Sequence, residues 1–445
     1  MDVLLRILQV VLALSILVLV HEFGHFFFAR LFKIRVEKFY LFFDAGFRLF
    51  KFKPKNSDTE YGIGWLPLGG YCKIAGMIDE SMDKEAMAKE PQPWEYRSKP
   101  AWQRFLVLFG GVLFNFILAC IIYTGIMMNW GEEYVKNSDV TTGIYASELA
   151  QEIGFRNGDR ILSFDGHQTE KFTDLQVDLV RYQTKHAKVL RGTDTVTISI
   201  DPVYIPSILN TPGMFNYGIP FEILEIADSS INANSGLKAK DRILAINGTN
   251  CDMFFQAQKE LAKYKGDSIV ATVARANELV LVPLVTDTLG RIQVTVNANI
   301  EDFYKITRHT YGFFEAIPAG FNKAVSTIDN YIKELKLIFS PKTEAYKSVG
   351  SFIAIGKIFP TTWDWFRFWN ITAFLSIMLA VLNILPIPAL DGGHLVFTLY
   401  EMITKRKPSD KFLEIAQTVG MILLIGLMIL AFVNDIIRLL IIQLD

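Results

Sequence analysis

At 445 residues the chain is long enough for two to four domains, and its 51% hydrophobic residues and mean hydropathy of +0.27 are high for a soluble protein. This describes a membrane protein with a sizeable watery part. A formal net charge of −1, from 45 Lys+Arg against 46 Asp+Glu, leaves no basic stripe and excludes nucleic acid as a partner.

Four apolar stretches are long enough to cross a bilayer as helices: 3–32, 105–128, 366–390 and 412–442. The first is too long for a secretory leader, lacks a small-residue cleavage site and is expected to stay in the mature protein. Orientation is read from the basic residues. Lys33, Arg35, Lys38, Arg48, Lys51, Lys53 and Lys55 follow the first span, Arg97, Lys99 and Arg104 precede the second, and Lys405, Arg406, Lys407 and Lys411 separate the last two. Those loops are expected in the cytoplasm. Both termini and the long stretch between the second and third spans are then expected on the far side, the periplasm of a two-membrane bacterium.

The first span contains what a span should exclude, His21-Glu22-Phe23-Gly24-His25. On a helix His21 and His25 share one face, one turn apart, with Glu22 beside the first. Two imidazoles so placed can hold zinc, and the carboxylate can act as general base without ligating it. The same pattern arises by chance on soluble helices. Here, however, an ionisable residue at mid-bilayer costs roughly 2.5–3.5 kcal/mol on insertion scales, and a bound cation would pair all three. Counting back from Arg30 puts His21 about 14 Å inside the membrane from the cytoplasmic end.

The cytoplasmic loop contains an apolar, glycine-rich segment, 61–74, with Leu66, Gly69, Gly70 and Tyr71 at its centre. It reads as a β-hairpin or re-entrant segment lining the site, because non-helical backbone at membrane depth needs protein or a wet cavity to satisfy it. A buried turn without a role is the bland reading. In the second span Gly110 and Gly111 allow close helix approach, and Asn115 either packs through a hydrogen bond or stands beside the metal. The cysteines, Cys72, Cys120 and Cys251, have neither disulfide nor zinc-ligand spacing.

From about 130 to 302 the composition turns globular, and residues 154–166 are echoed by 236–248 around Gly-Asp-Arg-Ile-Leu and Lys-Asp-Arg-Ile-Leu. Two copies of one small β-rich domain are expected. The repeated pattern resembles the core signature of PDZ domains, with Lys240 in place of the usual glycine. PDZ domains bind extended peptides by strand addition, though no carboxylate-receiving loop stands out in either copy. Phe314, Ile317, Phe321, Val325, Ile328, Ile332, Leu335 and Phe339 then recur at helical spacing up to Ser340-Pro341. This amphipathic helix either packs on the soluble domain or lies on the membrane near the site entrance.

The third span ends in Asn383-Ile384-Leu385-Pro386-Ile387-Pro388-Ala389-Leu390-Asp391-Gly392-Gly393-His394. Pro386 and Pro388 break the helix and free carbonyls, which in lipid implies a cavity. Asp391 is a ready third metal ligand, leaving a fourth tetrahedral position for water as catalytic zinc requires. His394 could be a fourth ligand instead, but three residues beyond Asp391 it stands better as a partner of a ligand or as part of the loop.

With these motifs the chain resembles the site-2 protease family of intramembrane zinc metalloproteases, and the tandem PDZ-like insert is similar to that of the bacterial RseP group. The resemblance covers nearly the whole chain. It rests on His-Glu-x-x-His in the first span paired with Asn-x-x-Pro-x-Pro-x-Leu-Asp-Gly in a late one; Gly111 and Asn115 also match, while Val112 stands where the family often has proline. It implies Glu22 as the base, His21, His25 and Asp391 as zinc ligands, and Asn115 and Asn383 near substrate. Pro386, Pro388, Leu66, Gly69, Gly70 and Tyr71 join the candidate substrate contacts. The implied substrates are single-span membrane proteins, such as anti-sigma factors or remnant signal peptides, cut in regulated intramembrane proteolysis.

The expected fold is a polytopic α-helical membrane protein with four transmembrane helices, a membrane-associated β-hairpin and two inserted β-rich PDZ-like domains. Its parts are 1–129, 130–215, 216–303, an amphipathic segment 304–362, and 363–445. A non-catalytic PDZ receptor or scaffold is the alternative from another class, and an ion-coupled transporter relaying protons through Asp391 and Glu22 a third. The intact ligand set opposes the first, and the absence of a repeat relating the spans opposes the second. Oligomeric state leaves no signature.

Overall fold

Long runs of Leu, Ile, Val and Phe become helices in the computed structural model, which describes residues 2–67, 69–77, 90–251, 253–276, 278–340, 343, 346, 350 and 352–444. Helices α1 (Asp2–Leu31) and α2 (Ala101–Asn129) precede the inserted β-rich region. After it come α3 (Phe313–Ile338), α4 (Trp365–Ile384), α5 (Asp391–Thr404) and α6 (Asp410–Leu444). Four helical stretches among the described residues are long and apolar enough to cross a membrane: Val3–Leu31, Ala101–Asn129, Trp365–Ile384 and Lys411–Ile437. These are the four predicted from the sequence, with one correction.

The third span stops at Ile384 rather than at 390. Leu385 precedes Pro386 and has ψ 144°, extended backbone, because the proline ring crowds the helical conformation of the residue before it. The chain then passes through Pro386 and Pro388 and starts a separate helix at Asp391. Gly420 of α6 packs on this break, so closely that a Cβ there would meet the Pro388 carbonyl oxygen.

The chain divides into two units, Met1–Gly131 with Thr310–Phe339 and Tyr346–Asp445, and Glu132–His309 with Ser340–Ala345. In the first, α1 and α2 touch through glycines: a Cβ on Gly24 would lie 2.2 Å from the Gly110 carbonyl oxygen, and one on Gly110 2.4 Å from that of Gly24. Ala119, Ile122, Tyr123 and Ile126 of α2 form one core with Ala324 of α3 and Ala373, Ile377 and Val381 of α4. A second core joins Ala13 and Leu17 of α1 to Phe359 and to Phe368 and Leu375 of α4. The amphipathic helix α3 thus belongs to the helical unit, its small residues Ala316, Gly320 and Ala324 buried. Pro341, expected to end it, lies outside the described residues.

The loop after α1 folds as a four-stranded sheet of β1 (Val36–Leu41), β2 (Phe43–Phe52), β3 (Glu60–Leu66) and β4 (Tyr71–Ile74), in the order β2-β3-β1-β4. The hairpin is β2–β3, which pair antiparallel. Segment 61–74 is not itself a hairpin. It gives β3, parallel to β1, and β4, antiparallel to β1 on the other flank, which leaves β4 at the sheet edge.

The second unit holds the two copies. Strands β5 (Glu132–Val135), β6 (Ile144–Ala146), β7 (Arg160–Phe164), β8 (His186–Arg191), β9 (Asp194–Ser199) and β10 (Phe215–Tyr217) accompany the first. The second has β11 (Phe221–Glu225), β12 (Arg242–Ile246), β13 (Thr249–Asn250), β14 (Ser268–Arg275), β15 (Glu278–Val285) and β16 (Thr295–Val296). The three-stranded order β7-β8-β9 recurs as β12-β14-β15. The likeness extends to single contacts. Asp159 accepts two bonds from the Arg191 guanidinium and one from the Arg156 amide; Asp241 accepts the same set from Arg275 and the Lys238 amide. Gly158 has φ 85° and Lys240 φ 69°, so the lysine keeps the left-handed turn at a steric cost of about 1–2 kcal/mol. Strand β17 (Ile306–His309) closes the unit by pairing antiparallel with β5, His309 opposite Glu132.

Candidate metal centre

His21 and His25 project from α1 one turn apart, with Nε2 atoms 3.2 Å from each other. The Asp391 Oδ2 atom lies 3.2 Å from His21 Nε2 and 3.4 Å from His25 Nε2. Both histidines are buried. Asp391 reaches them because it opens α5 directly after the proline break, where the chain turns back toward α1.

Zinc bonded to nitrogen and oxygen at about 2.0–2.1 Å in a tetrahedron sets its ligand atoms about 3.3–3.4 Å apart. The three atoms match that spacing. They also converge on one point, and Asp391 Oδ2 is buried without a hydrogen-bond partner, a cluster that a cation would satisfy. The only group of three or more potential ligand residues found among the described residues is this one. His394 is not in it; its Nε2 faces Gln417 Oε1 of α6 at 3.0 Å.

The surroundings explain the orientation of the rings. His25 Nδ1 donates to the Val107 carbonyl at 2.9 Å, which leaves the Nε2 lone pair facing the other two atoms. His21 Nδ1 sits 3.2 Å from the Asn115 side-chain amide. The Asn383 amide nitrogen stands 3.3 Å from His21 Nε2. Gly111 lies under both rings: a Cβ there would come within 2.5 Å of His21 Cε1 and 2.6 Å of His25 Nε2. Any side chain would fill the space that the ligands need.

Glu22 is adjacent to β4. Its carboxylate lies by the Cys72 backbone amide, and a Cβ on Gly70 would meet Val18 at 2.7 Å and Glu22 Cγ at 3.6 Å. Asn115, Asn383, Gly70 and Glu22 therefore gather about the three ligands, and Pro386 and Pro388 form the break just ahead of Asp391. The other sheet residues sit further out. Leu66 pairs with Phe43, Gly69 faces the Phe43 ring, and the Tyr71 hydroxyl donates to Asp44 at 3.0 Å, which with desolvation raises its pKa far above the ordinary tyrosine value. Sequence reading missed the Val107 carbonyl and the Cys72 amide, and no residue-level signal marks either, since every non-proline residue carries both groups.

Comparison with known proteins agrees with this geometry. Protease RseP of Yersinia pestis is 28% identical over 462 residues, covering 99% of this chain and all of its own length. Proteins assigned as zinc metalloproteases in Clostridium perfringens and Vibrio cholerae are 28% and 27% identical, covering 97% and 98% of this chain and 98% and 100% of their own. The model of peptidase family M50 matches residues 9–427, so the chain belongs to that family, the site-2 proteases, and is a membrane zinc metalloprotease.

Proposed function

We propose that the chain hydrolyses peptide bonds within transmembrane segments of single-span proteins, with His21, His25 and Asp391 as zinc ligands and Glu22 as general base. The observation that carries this reading is the convergence of three ligand atoms, 3.2–3.4 Å apart, within a unit of membrane-crossing helices. Zinc held by such a set would lower the pKa of a water in its open position to about 7 and would polarise a carbonyl. Glu22 takes the proton of the attacking water and returns it to the departing amine; its position directly after His21 supports this. The Asn383 amide, beside His21 Nε2, is suited to donate to the oxygen of the carbonyl under attack.

A helical substrate hides its carbonyls in intrahelical bonds and must unwind before it is cut. The edge of β4 offers it a strand to pair with, and Gly69, Gly70 and Tyr71 belong to that approach, with Leu66, Pro386 and Pro388 as outer contacts. Resemblance to the RseP group supports anti-sigma factors or remnant signal peptides as substrates, already trimmed by another protease. The basic loops support a cytoplasmic side for the sheet and a periplasmic side for the two β-rich copies.

Glu22→Gln should retain about one zinc per chain yet cut a model transmembrane substrate about 100-fold or more slowly. Metal analysis beside a cleavage assay reads both, and undiminished cleavage would sink the mechanism.

A further inference from the structure

Asn115 reads from the sequence family as a residue near substrate, but its contacts point elsewhere. It lies on α2, fully buried, with its side-chain Nδ2 3.2 Å from His21 Nδ1, the ring nitrogen on the far side from Asp391. Its backbone carbonyl is held by the Ser376 hydroxyl of α4 at 2.8 Å, which anchors the residue from a third helix. Its Oδ1 is buried without a partner.

Only one arrangement of this amide suits the gathered ligand atoms. If Nδ2 donates to His21 Nδ1, the neutral ring carries its proton on Nε2, the atom 3.2 Å from both Asp391 Oδ2 and His25 Nε2, and has no lone pair for a metal. A half-turn of the amide puts Oδ1 on the ring instead. His21 Nδ1–H then donates to it, Nε2 is freed, and the orphaned oxygen gains a donor. Nδ2 moves to the former place of Oδ1, where no partner stands, so the flip costs one unpaired amide and in return frees Nε2 for the metal. His25 already follows this scheme, since its Nδ1 faces the Val107 carbonyl, which can only accept. Amide oxygen and nitrogen exchange at almost no steric cost.

We infer that Asn115 is a positioning residue for the metal centre: its carboxamide oxygen accepts from His21 Nδ1–H and sets the tautomer and ring angle of that ligand, as the Val107 carbonyl does for His25. The inference rests on the reading of His21 as a zinc ligand and adds to it a partner that does not touch substrate. Partners of this kind are typically worth 10–100-fold in metal affinity.

The test is zinc affinity of the detergent-solubilised full chain, by competition with a chromophoric chelator, together with the visible spectrum of the cobalt(II)-loaded protein. Asn115→Leu, with the same branching and number of side-chain heavy atoms but without an acceptor, should bind zinc about 10–100-fold more weakly and shift the cobalt bands. At saturating zinc its KM for a model substrate should match wild type. Asn115→Asp keeps an acceptor oxygen and should stay within about threefold of wild-type zinc affinity, which also controls for folding. Wild-type zinc affinity in Asn115→Leu with a raised KM would overturn the inference in favour of a substrate contact. Equal loss of zinc in both variants would overturn it too, as a packing role. His21→Ala tests the underlying reading separately: zinc binding undiminished in that variant would remove the ligand assignment itself.

Discussion

Asp391 begins a helix, and its carboxylate reaches two imidazoles on α1 because the chain breaks at Pro386 and Pro388 just before it. His394, one turn further along α5, faces Gln417 instead. Asp391→Ala should therefore lower zinc retention at least about 10-fold, while His394→Ala should leave it within about twofold; metal content after dialysis against a chelator distinguishes them. In the second β-rich copy, burial pushes the Asp241 carboxyl up, but the Arg275 guanidinium and the Lys238 amide outweigh it and hold it below the usual aspartate range. A depressed value means stabilisation that is complete above the unfolded-state pKa of about 3.9 and is lost as pH falls through the folded-state value. Asp241→Asn should lower the unfolding midpoint by about 5 °C at pH 7, and the gap to wild type should close on acidification, as read by melts at stepped pH. The three side chains that the structure gathers in the candidate metal centre were legible in the sequence because His-Glu-x-x-His and a proline-broken Leu-Asp-Gly carry their chemistry in residue identity. The Val107 carbonyl and the Cys72 amide were not, because backbone groups are common to every position and only the fold selects among them.

At the level of elements, the pair α1–α2 sets the ligand geometry. Gly24 stands between His21 and His25 in α1 and meets Gly110 of α2 backbone to backbone, so a methyl on either must push the helices apart. Gly110→Ala should destabilise by about 1–3 kcal/mol through overpacking and loosen zinc with it, measurable as a lower midpoint in detergent and faster metal loss. A variant as stable as wild type would mean that the two helices separate freely. The sheet also decides where the edge of β4 can be probed. The Ala75 amide donates to the Arg35 carbonyl, and alternation along β4 turns the Lys73 and Tyr71 amides the same way, into the sheet. Proline at either would damage the sheet itself, so the outward-facing Cys72 amide is where the edge must be probed. Helix periodicity was readable along α3, where burial follows the 3.6-residue repeat, and the four spans were readable from the length of their apolar runs. The order β2-β3-β1-β4 was not, because short glycine-rich strands specify pairing only through the closure of the whole loop.

For the whole molecule, the insert carries its own core: Phe221, Ile223, Ile243, Ile246, Ala271, Val273 and Leu284 of the second copy are buried together. Residues 132–309 expressed alone should thus fold to a soluble, β-rich protein with a cooperative melt, checked by circular dichroism; a non-cooperative or aggregated product would show that the helical unit is needed to shape it. The β5–β17 pair bears on how such a chain comes to exist at all. With Glu132 opposite His309, the insert enters and leaves within about 5.5 Å, so the helices on either side are tethered as though by a tight turn. The entropy of bringing α2 and α3 together depends on that gap and not on the number of residues between them. Domains can be lengthened, shortened or exchanged behind the clasp without altering the effective tether between the helices, so the insert can change while the chemistry of the helical unit stays the same.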